Sequence, residues 1–300
     1  MFGRNAGAGA GKFRMLMEGS GQFWRRARRH RLLQAGAVFV LLFAGAALLA
    51  PWLAPHDPLR QFAGGLTEAG APRPPGGRYL LGTDDLGRDL LSRLLYGARL
   101  SLFIGVVATS IAIGAGALLG LLAGYFGGVV EGLIMRLADV VMAFPVLLLA
   151  IALVAVLRPS LWNVLLVVGL VNWTPVARVV RAETLATREA LFVEAARAQG
   201  ATHGRIVRRH ILPQLAPTLL VLACLSIATT ILLDAGLSYL GVGVPPPAPS
   251  WGAMLTEGQS YYRTAPWLAF WPGLAIVVAV GGFNLLGFGL QELLDPRRGE

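Results

Sequence analysis

The sequence predicts an all-α, polytopic membrane protein with six transmembrane helices. Three observations carry this reading. Hydrophobic residues make up 55% of the 300-residue chain and charged residues only 14%, where soluble domains average about 25% charged. The apolar residues are gathered into long runs, and a hydrocarbon layer about 30 Å thick takes roughly 20 such residues as helix. The net charge of +10 is concentrated in two segments beside apolar runs, as the positive-inside rule expects of cytoplasmic segments.

Residues 1–31 read as a basic cytoplasmic tail. Within residues 1–34, Lys12 and seven arginines face Glu18 alone, a surplus of +7. The run Gly7 to Phe13 imitates a phosphate loop. Ala6 stands where that pattern needs glycine and Phe13 where it needs Ser or Thr, so no ATP site is read there. The first span, Leu32–Leu53, is longer than a signal-peptide core and no clean cleavage site follows it; it is expected to be retained. Residues 32–99 comprise this span and an outer polar stretch, Pro55 to Arg99, rich in Pro and Gly and nearly charge-balanced. Residues 100–290 hold five more spans: Leu100–Ala123, Leu133–Leu157, Leu161–Val180, Pro217–Leu240 and Trp267–Leu290. Residues 291–300 form a second cytoplasmic tail. The even count puts both termini inside, together with the connection 181–213. The stretch from Arg178 to Pro213 carries seven arginines against three glutamates, so charge and count agree.

Within the spans, Gly116, Gly120, Gly124 and Gly128 recur every fourth residue and make a smooth stripe for a close helix neighbour, in this subunit or another. Phe144-Pro145 and Thr174-Pro175 are expected to kink or end helices, since proline lacks the amide donor. A second outer loop, Gly241 to Pro266, holds Trp251, Tyr261 and Tyr262, read as aromatics at the membrane interface. Arg136 and Asp139 lie three apart and could pair. Asp234 is isolated in an apolar span. A carboxylate at such depth is a candidate for the translocation path by default, with a structural partner on another helix as the alternative.

Several functions are excluded. No aromatic-interleaved basic face accompanies the arginines, so no nucleic-acid partner is expected. Cys224 is the only cysteine, and His30, His56, His203 and His210 are scattered without metal-ligand spacing, so neither an intrachain disulfide nor a metal site is read. No catalytic constellation appears, nor any repeat or pair of matched halves of the kind secondary transporters show. Asn172-Trp173-Thr174 fits a glycosylation sequon but lies inside a span.

The inner connection is the informative segment. From Ala182 the sequence reads as a helix with Leu185, Phe192 and Ala196 on an apolar flank. Gly200 is its natural C-terminal stop, Thr202 caps a second short helix, and Pro213 marks entry to the fifth span. The result is a helix–turn–helix projecting from the membrane.

Here the residues resemble a known family. Glu194-Ala195-Ala196, three residues, Gly200, then nine residues to His210-Ile211-Leu212-Pro213 is similar to the EAA loop of ABC importer permeases. Histidine where the family has an aliphatic residue resembles the peptide-importer branch. Further runs resemble the C-type permease of dipeptide, oligopeptide and nickel importers. They are Leu81-Gly82-Thr83-Asp84-Asp85-Leu86-Gly87-Arg88-Asp89, Gly97-Ala98-Arg99-Leu100-Ser101-Leu102, Leu237 to Gly243, Pro249 to Leu255, Phe283-Asn284-Leu285-Leu286-Gly287 and Leu294 to Arg297. Phe288 departs from the small acidic residue expected there.

The resemblance implies a type I importer permease fold, a five-helix core behind an extra first helix, in the bacterial inner membrane. It implies a homologous second permease, two cytoplasmic ATPase subunits that bind the ATP and Mg, and an external solute-binding protein. This chain itself is expected to carry no cofactor and to catalyse nothing. Glu194, Ala195, Ala196, Gly200, His210 and Pro213 would form the ATPase-coupling element, and Arg197, Arg205, Arg208 and Arg209 would meet lipid or the ATPase. Di- or oligopeptide is the expected cargo, with nickel or another small solute as the alternative within the family. An ion-coupled secondary transporter, the alternative from another class, would need carboxylates near the midplane that this chain hardly supplies.

Overall fold

The computed structural model describes residues 27, 28, 30–157 and 160–294, and the regular elements among them are helices. The expected basic tail thus lies almost wholly outside the described residues, as do residues 295–300. α1 (Arg31–Leu48) opens on His30, whose ring Nδ1 accepts from the Leu33 amide at 3.4 Å. A break at Leu49 separates it from the four-residue α2 (Ala50–Leu53), so the first expected span is interrupted.

α3 (Leu90–Phe126) starts well before the expected Leu100 because Asp89 is an N-cap: its carboxylate accepts from the Ser92 amide at 2.9 Å. At 37 residues it rises about 55 Å, well beyond the hydrocarbon layer. α4 (Gly128–Met142) and α5 (Val146–Leu157) meet at 89°. Pro145 stands at the corner, where it removes an amide donor and constrains Phe144. The third span is therefore a bent pair rather than one rod.

α6 (Leu161–Val171), capped by Ser160, and α7 (Trp173–Arg188) meet at Asn172 and together make one apolar run of 28 residues. Pro175 sits in the first turn of α7, where amides have no helical partner anyway. α8 (Leu191–Ala198) and α9 (His203–Ile206) follow. One π turn, Val207–Ile211, joins α9 to α10 (Leu212–Tyr239). α11 (Trp251–Gln259), capped by Ser250, lies where only a loop was expected, and α12 (Trp267–Leu294) closes the chain. Five of these runs are long and apolar enough to cross a membrane, and the bent α4–α5 pair supplies a sixth if counted as one span.

α3 is the axis of the bundle. It packs along α7 and also meets α1, α6 and α10, while α12 lies against α1, α10 and α11. The glycine stripe explains the closest of these contacts. A Cβ on Gly116 would stand 2.7 Å from the Trp173 carbonyl oxygen, and one on Gly124 2.7 Å from that of Arg181. Both oxygens belong to α7, so the stripe serves packing within this chain. Gly128 is not part of it: its φ is +54° and its surroundings are open.

Candidate functional site

The two ends of α3 carry two different constructions. At its C-terminal end, the expected inner helix is broken at Glu189-Ala190, so α7 and α8 are separate pieces. α8 is fastened by Val193, fully buried in a cluster with Tyr125, Val180, Ile206, Ile211 and Leu215. Its other face is open. Leu191 is 74% exposed, and Glu194, Ala195, Arg197 and Gly200 are exposed beside it, with Ala196 half-buried. α8 thus presents an exposed leucine among charged residues and small alanines, which leave its outer face open to close approach.

The turn after α8 is a Schellman motif. The Gly200 amide donates to the Arg197 oxygen at 2.9 Å and the Ala201 amide to the Ala196 oxygen at 3.0 Å, which uses two otherwise unpaired helix carbonyls. Gly200 has φ +79°, the left-handed conformation expected of it. Thr202 does hold the N-cap position of α9, but its side chain makes no capping hydrogen bond. Pro213 does stand in the first turn of α10, at the expected entry to the fifth span. Leu212 stays helical at φ −55°, ψ −41°, and the π turn just before Pro213 carries the chain from α9 into α10 without a stop. A π turn changes the hydrogen-bond register where the proline removes a donor and its ring crowds the preceding turn. His210 is brought against Phe192 of α8, ring centroids 6.2 Å apart.

α7 is tied to its neighbours at the same end. Arg181 pairs with Glu131 of α4, Arg188 Nη1 donates to the Tyr125 carbonyl at 2.9 Å, and Thr218 donates to Glu183 at 2.7 Å. Asp139 does not pair with Arg136 as expected from their spacing. It accepts from Arg178 of α7 at 2.5 Å, since α4 and α7 lie side by side there. A recess of about 350 Å³ opens between the α3 terminus and α8, lined by Tyr125, Arg188, Glu194, Arg197 and His203 among others.

Asp234 lies on α10, 2% exposed, and its Oδ1 has no hydrogen-bond partner. One turn away on the same face, the Thr230 hydroxyl meets that of Thr109 on α3 at 3.2 Å, so the α3–α10 seam is partly polar. Phe288 is 52% exposed on α12.

The opposite end of α3 holds an ion cluster that the sequence did not reveal. Arg93, 2% exposed, reaches Asp84 at 3.1 Å through Nε and donates from Nη2 to both Glu257 oxygens at 3.0 and 2.9 Å. Arg88 pairs with the same Asp84 at 2.5 Å and approaches Glu257 at 3.6 Å. Burial pushes the Glu257 and Asp85 carboxyls up from the ordinary range, and the two arginines pull them back only in part. The run Thr83 to Asp89 is thereby locked to the head of α3 and to α11. Trp251 is part of the same joint and not a membrane-interface residue. It is 3% exposed, packs on Phe43 with centroids 5.4 Å apart, and its indole N–H donates to the Leu94 oxygen at 3.0 Å. Gly97 leaves the space, since a Cβ there would stand 2.8 Å from the Trp251 ring. Tyr262, by contrast, is 62% exposed.

Residues 116–300 match the pattern of the family described as "binding-protein-dependent transport system inner membrane component". The chain belongs to that family. Residues 20–69 further match the "N-terminal TM domain of oligopeptide transport permease C", which accounts for α1 ahead of the core. The permease is 40% identical over 283 residues to a dipeptide transport system permease protein of Alkalihalophilus pseudofirmus, covering 91% of this chain and 90% of the relative. It is 43% identical over 282 residues to a di/tripeptide transport system permease protein of Pseudomonas aeruginosa, covering 92% and 91%. A glutathione transport system permease protein of Pectobacterium atrosepticum is 41% identical over 276 residues, covering 92% and 90%. In fold, the permease is similar to a chain of the MetNI methionine ABC transporter, with a TM-score of 0.54 at 19% identity over 67% of this chain and 94% of that one. The protein is a multi-pass membrane permease of the ABC importer class.

Proposed function

We propose that this permease forms half of the pathway through which a bacterial ABC importer moves small peptides inward. In this reading a homologous second permease supplies the other half, two ATPase subunits supply the energy, and an external solute-binding protein delivers the cargo. ATP and Mg belong to the ATPase subunits, and the permease performs no covalent chemistry. The observation that carries the reading is α8: a short helix with Val193 buried at its root and Leu191, Glu194, Ala195 and Arg197 exposed, closed by the Gly200 turn and hinged at Glu189 and Gly200. Such an element can be gripped on one face and pass displacement through the other. The peptide cargo rests on the named cargoes of the relatives, which are di- and tripeptides and glutathione, itself a tripeptide. Asp234 remains the candidate path residue. Its unsatisfied Oδ1 supports a role beyond a structural pair, because an ionisable group left without a partner in a membrane helix is costly.

The test is uptake into proteoliposomes holding the full complex with its binding protein. Labelled di- or tripeptide should accumulate only with ATP inside the ATPase compartment, and dissipating ion gradients should leave it unchanged. Uptake driven by an ion gradient without ATP would defeat the reading.

In this reading both termini are cytoplasmic, supported by the surplus of +7 in residues 1–34 and by an even count of six crossings when the α4–α5 pair is taken as one span. Reporter fusions at residue 10 and at the C-terminus should each give a cytoplasmic signal. An external signal at either end would contradict the placement.

A further inference from the structure

α7 and α10 are joined by backbone to α8 and α9, so any displacement of α8 reaches them along the chain. α3 has no such link. It is held to α7 by the backbone-close glycine stripe at Gly116, Gly120 and Gly124, so α3 and α7 move as one body. α9, running through the π turn into α10, is the second body. At the root of α8 one side chain bridges α3 to α9, while Thr218–Glu183 ties α10 to α7 and Thr109–Thr230 ties α10 to α3 farther along. Tyr125, the penultimate residue of α3 and 5% exposed, is hydrogen-bonded through its hydroxyl to His203 Nδ1 at 2.8 Å, with the two rings edge-to-face at 5.8 Å and 80°. Its own carbonyl accepts from Arg188 at the end of α7. The same residue therefore touches both chain segments that flank α8, the one entering it and the one leaving it.

We infer that the Tyr125–His203 hydrogen bond is a clasp that makes the two helix bodies follow α8 together, and that Tyr125 and His203 are positioning residues for ATP-coupled transport. The inference rests on the coupling role proposed for α8. Packed elements with two discrete arrangements transmit displacement only if the contacts between them hold during the move. Here Val193 and its apolar cluster allow sliding, because dispersion contacts are non-directional, whereas the hydroxyl–imidazole contact fixes both distance and angle. Opening the clasp would loosen α9 from the end of α3, leaving Thr218–Glu183 and Thr109–Thr230 to carry the move farther along, and ATP would be spent without full movement of cargo.

The experiment is a double-mutant cycle in the intact complex with Tyr125→Phe, His203→Ala and the pair. Tyr125→Phe removes the hydroxyl and leaves the ring in its cluster. Uptake per ATP hydrolysed, complex yield and melting temperature are measured on one preparation. Each single variant should lose uptake per ATP by roughly two- to tenfold, the range a net hydrogen bond supplies, with assembly and hydrolysis retained. The double variant should lose no more than either single one, and His203→Asn, which keeps an acceptor near the Nδ1 position, should recover part of the ratio. A purely structural contact would lower the melting temperature and leave uptake per ATP unchanged, which would overturn the clasp. Losses that multiply in the double variant would also overturn it. Gly200→Val separates this inference from its premise. If that variant is uncoupled while both clasp variants are fully coupled, the clasp is wrong and the coupling role of α8 stands. If the clasp variants are uncoupled and Gly200→Val is not, the clasp stands and only the role given to the Gly200 turn is wrong.

Discussion

Arg93→Met is expected to lose about 3–5 kcal/mol of stability, the cost of removing one partner from a buried ion pair. The size follows from burial on both sides. Arg93 and Asp84 are 2% and 1% exposed as side chains, and Glu257 is 28% exposed. Without the guanidinium, Glu257 keeps only the 3.6 Å approach of Arg88, which is already committed to Asp84. Asp84, Asp85 and Glu257 would then share one cation in a poorly hydrated joint. α11 should detach from the head of α3, exposing the Trp251 indole that now lies over Gly97. The variant's melting temperature in detergent should fall well below that of the parent protein, and its yield from the membrane should fall with it. Arg93→Met with Glu257→Met should recover much of the loss, since an apolar pair of similar volume replaces a buried ion pair at little cost. An unchanged melting temperature in Arg93→Met would show that the cluster contributes nothing to the joint.

Gly200→Val should abolish coupled transport while leaving the bundle intact. Gly200 has φ +79° and no atom within 4 Å of a built Cβ, so the substitution meets no neighbour. The penalty is backbone strain alone, about 1–3 kcal/mol for a residue held in a sparsely populated region, and a β-branched side chain is among the least tolerant. To relax it the chain would have to open the Schellman turn, freeing the Arg197 and Ala196 carbonyls and the angle between α8 and α9. The complex should assemble, yet ATP should be hydrolysed with little uptake, as measured on the same preparation. Gly200→Asn should be milder, because asparagine tolerates this conformation better than other residues with side chains. Wild-type uptake per ATP in Gly200→Val would mean that the geometry of this turn does not matter to coupling.

What was legible in the sequence were the features that local chemistry decides. Apolar length marked the spans, Pro145 marked the bend between α4 and α5, and a glycine thirteen residues before Pro213 marked a left-handed turn that the structure contains. The glycine stripe was legible as a close approach, but not its partner, because a smooth helix face does not say which helix will lie on it. Features decided by distant residues were hidden. Arg93 and Glu257 stand 164 positions apart, and nothing near Glu257 singles it out. Asp139 looked to Arg136 along its own helix, whereas Arg178 on α7 came closer across the packing. Trp251 looked like an interface aromatic because an outer-loop tryptophan commonly is one. The signal that placed it inside was Gly97, a second motif glycine whose reason to be small was the indole. The extra turns at the start of α3 followed from Asp89, a capping residue in a stretch read as loop.

The central claim is that α8 is the surface gripped by an ATPase, and site-specific photocrosslinking tests it most directly. A photoreactive amino acid at Ala195, exposed on the open face of α8, is activated in membranes carrying the full complex, with a second probe at Leu80, which is 62% exposed at the opposite end of the bundle. The account predicts an adduct between the Ala195 probe and an ATPase subunit, weakened in Gly200→Val, and none with the ATPase from Leu80. An ATPase adduct at Leu80 with none at Ala195 would contradict it.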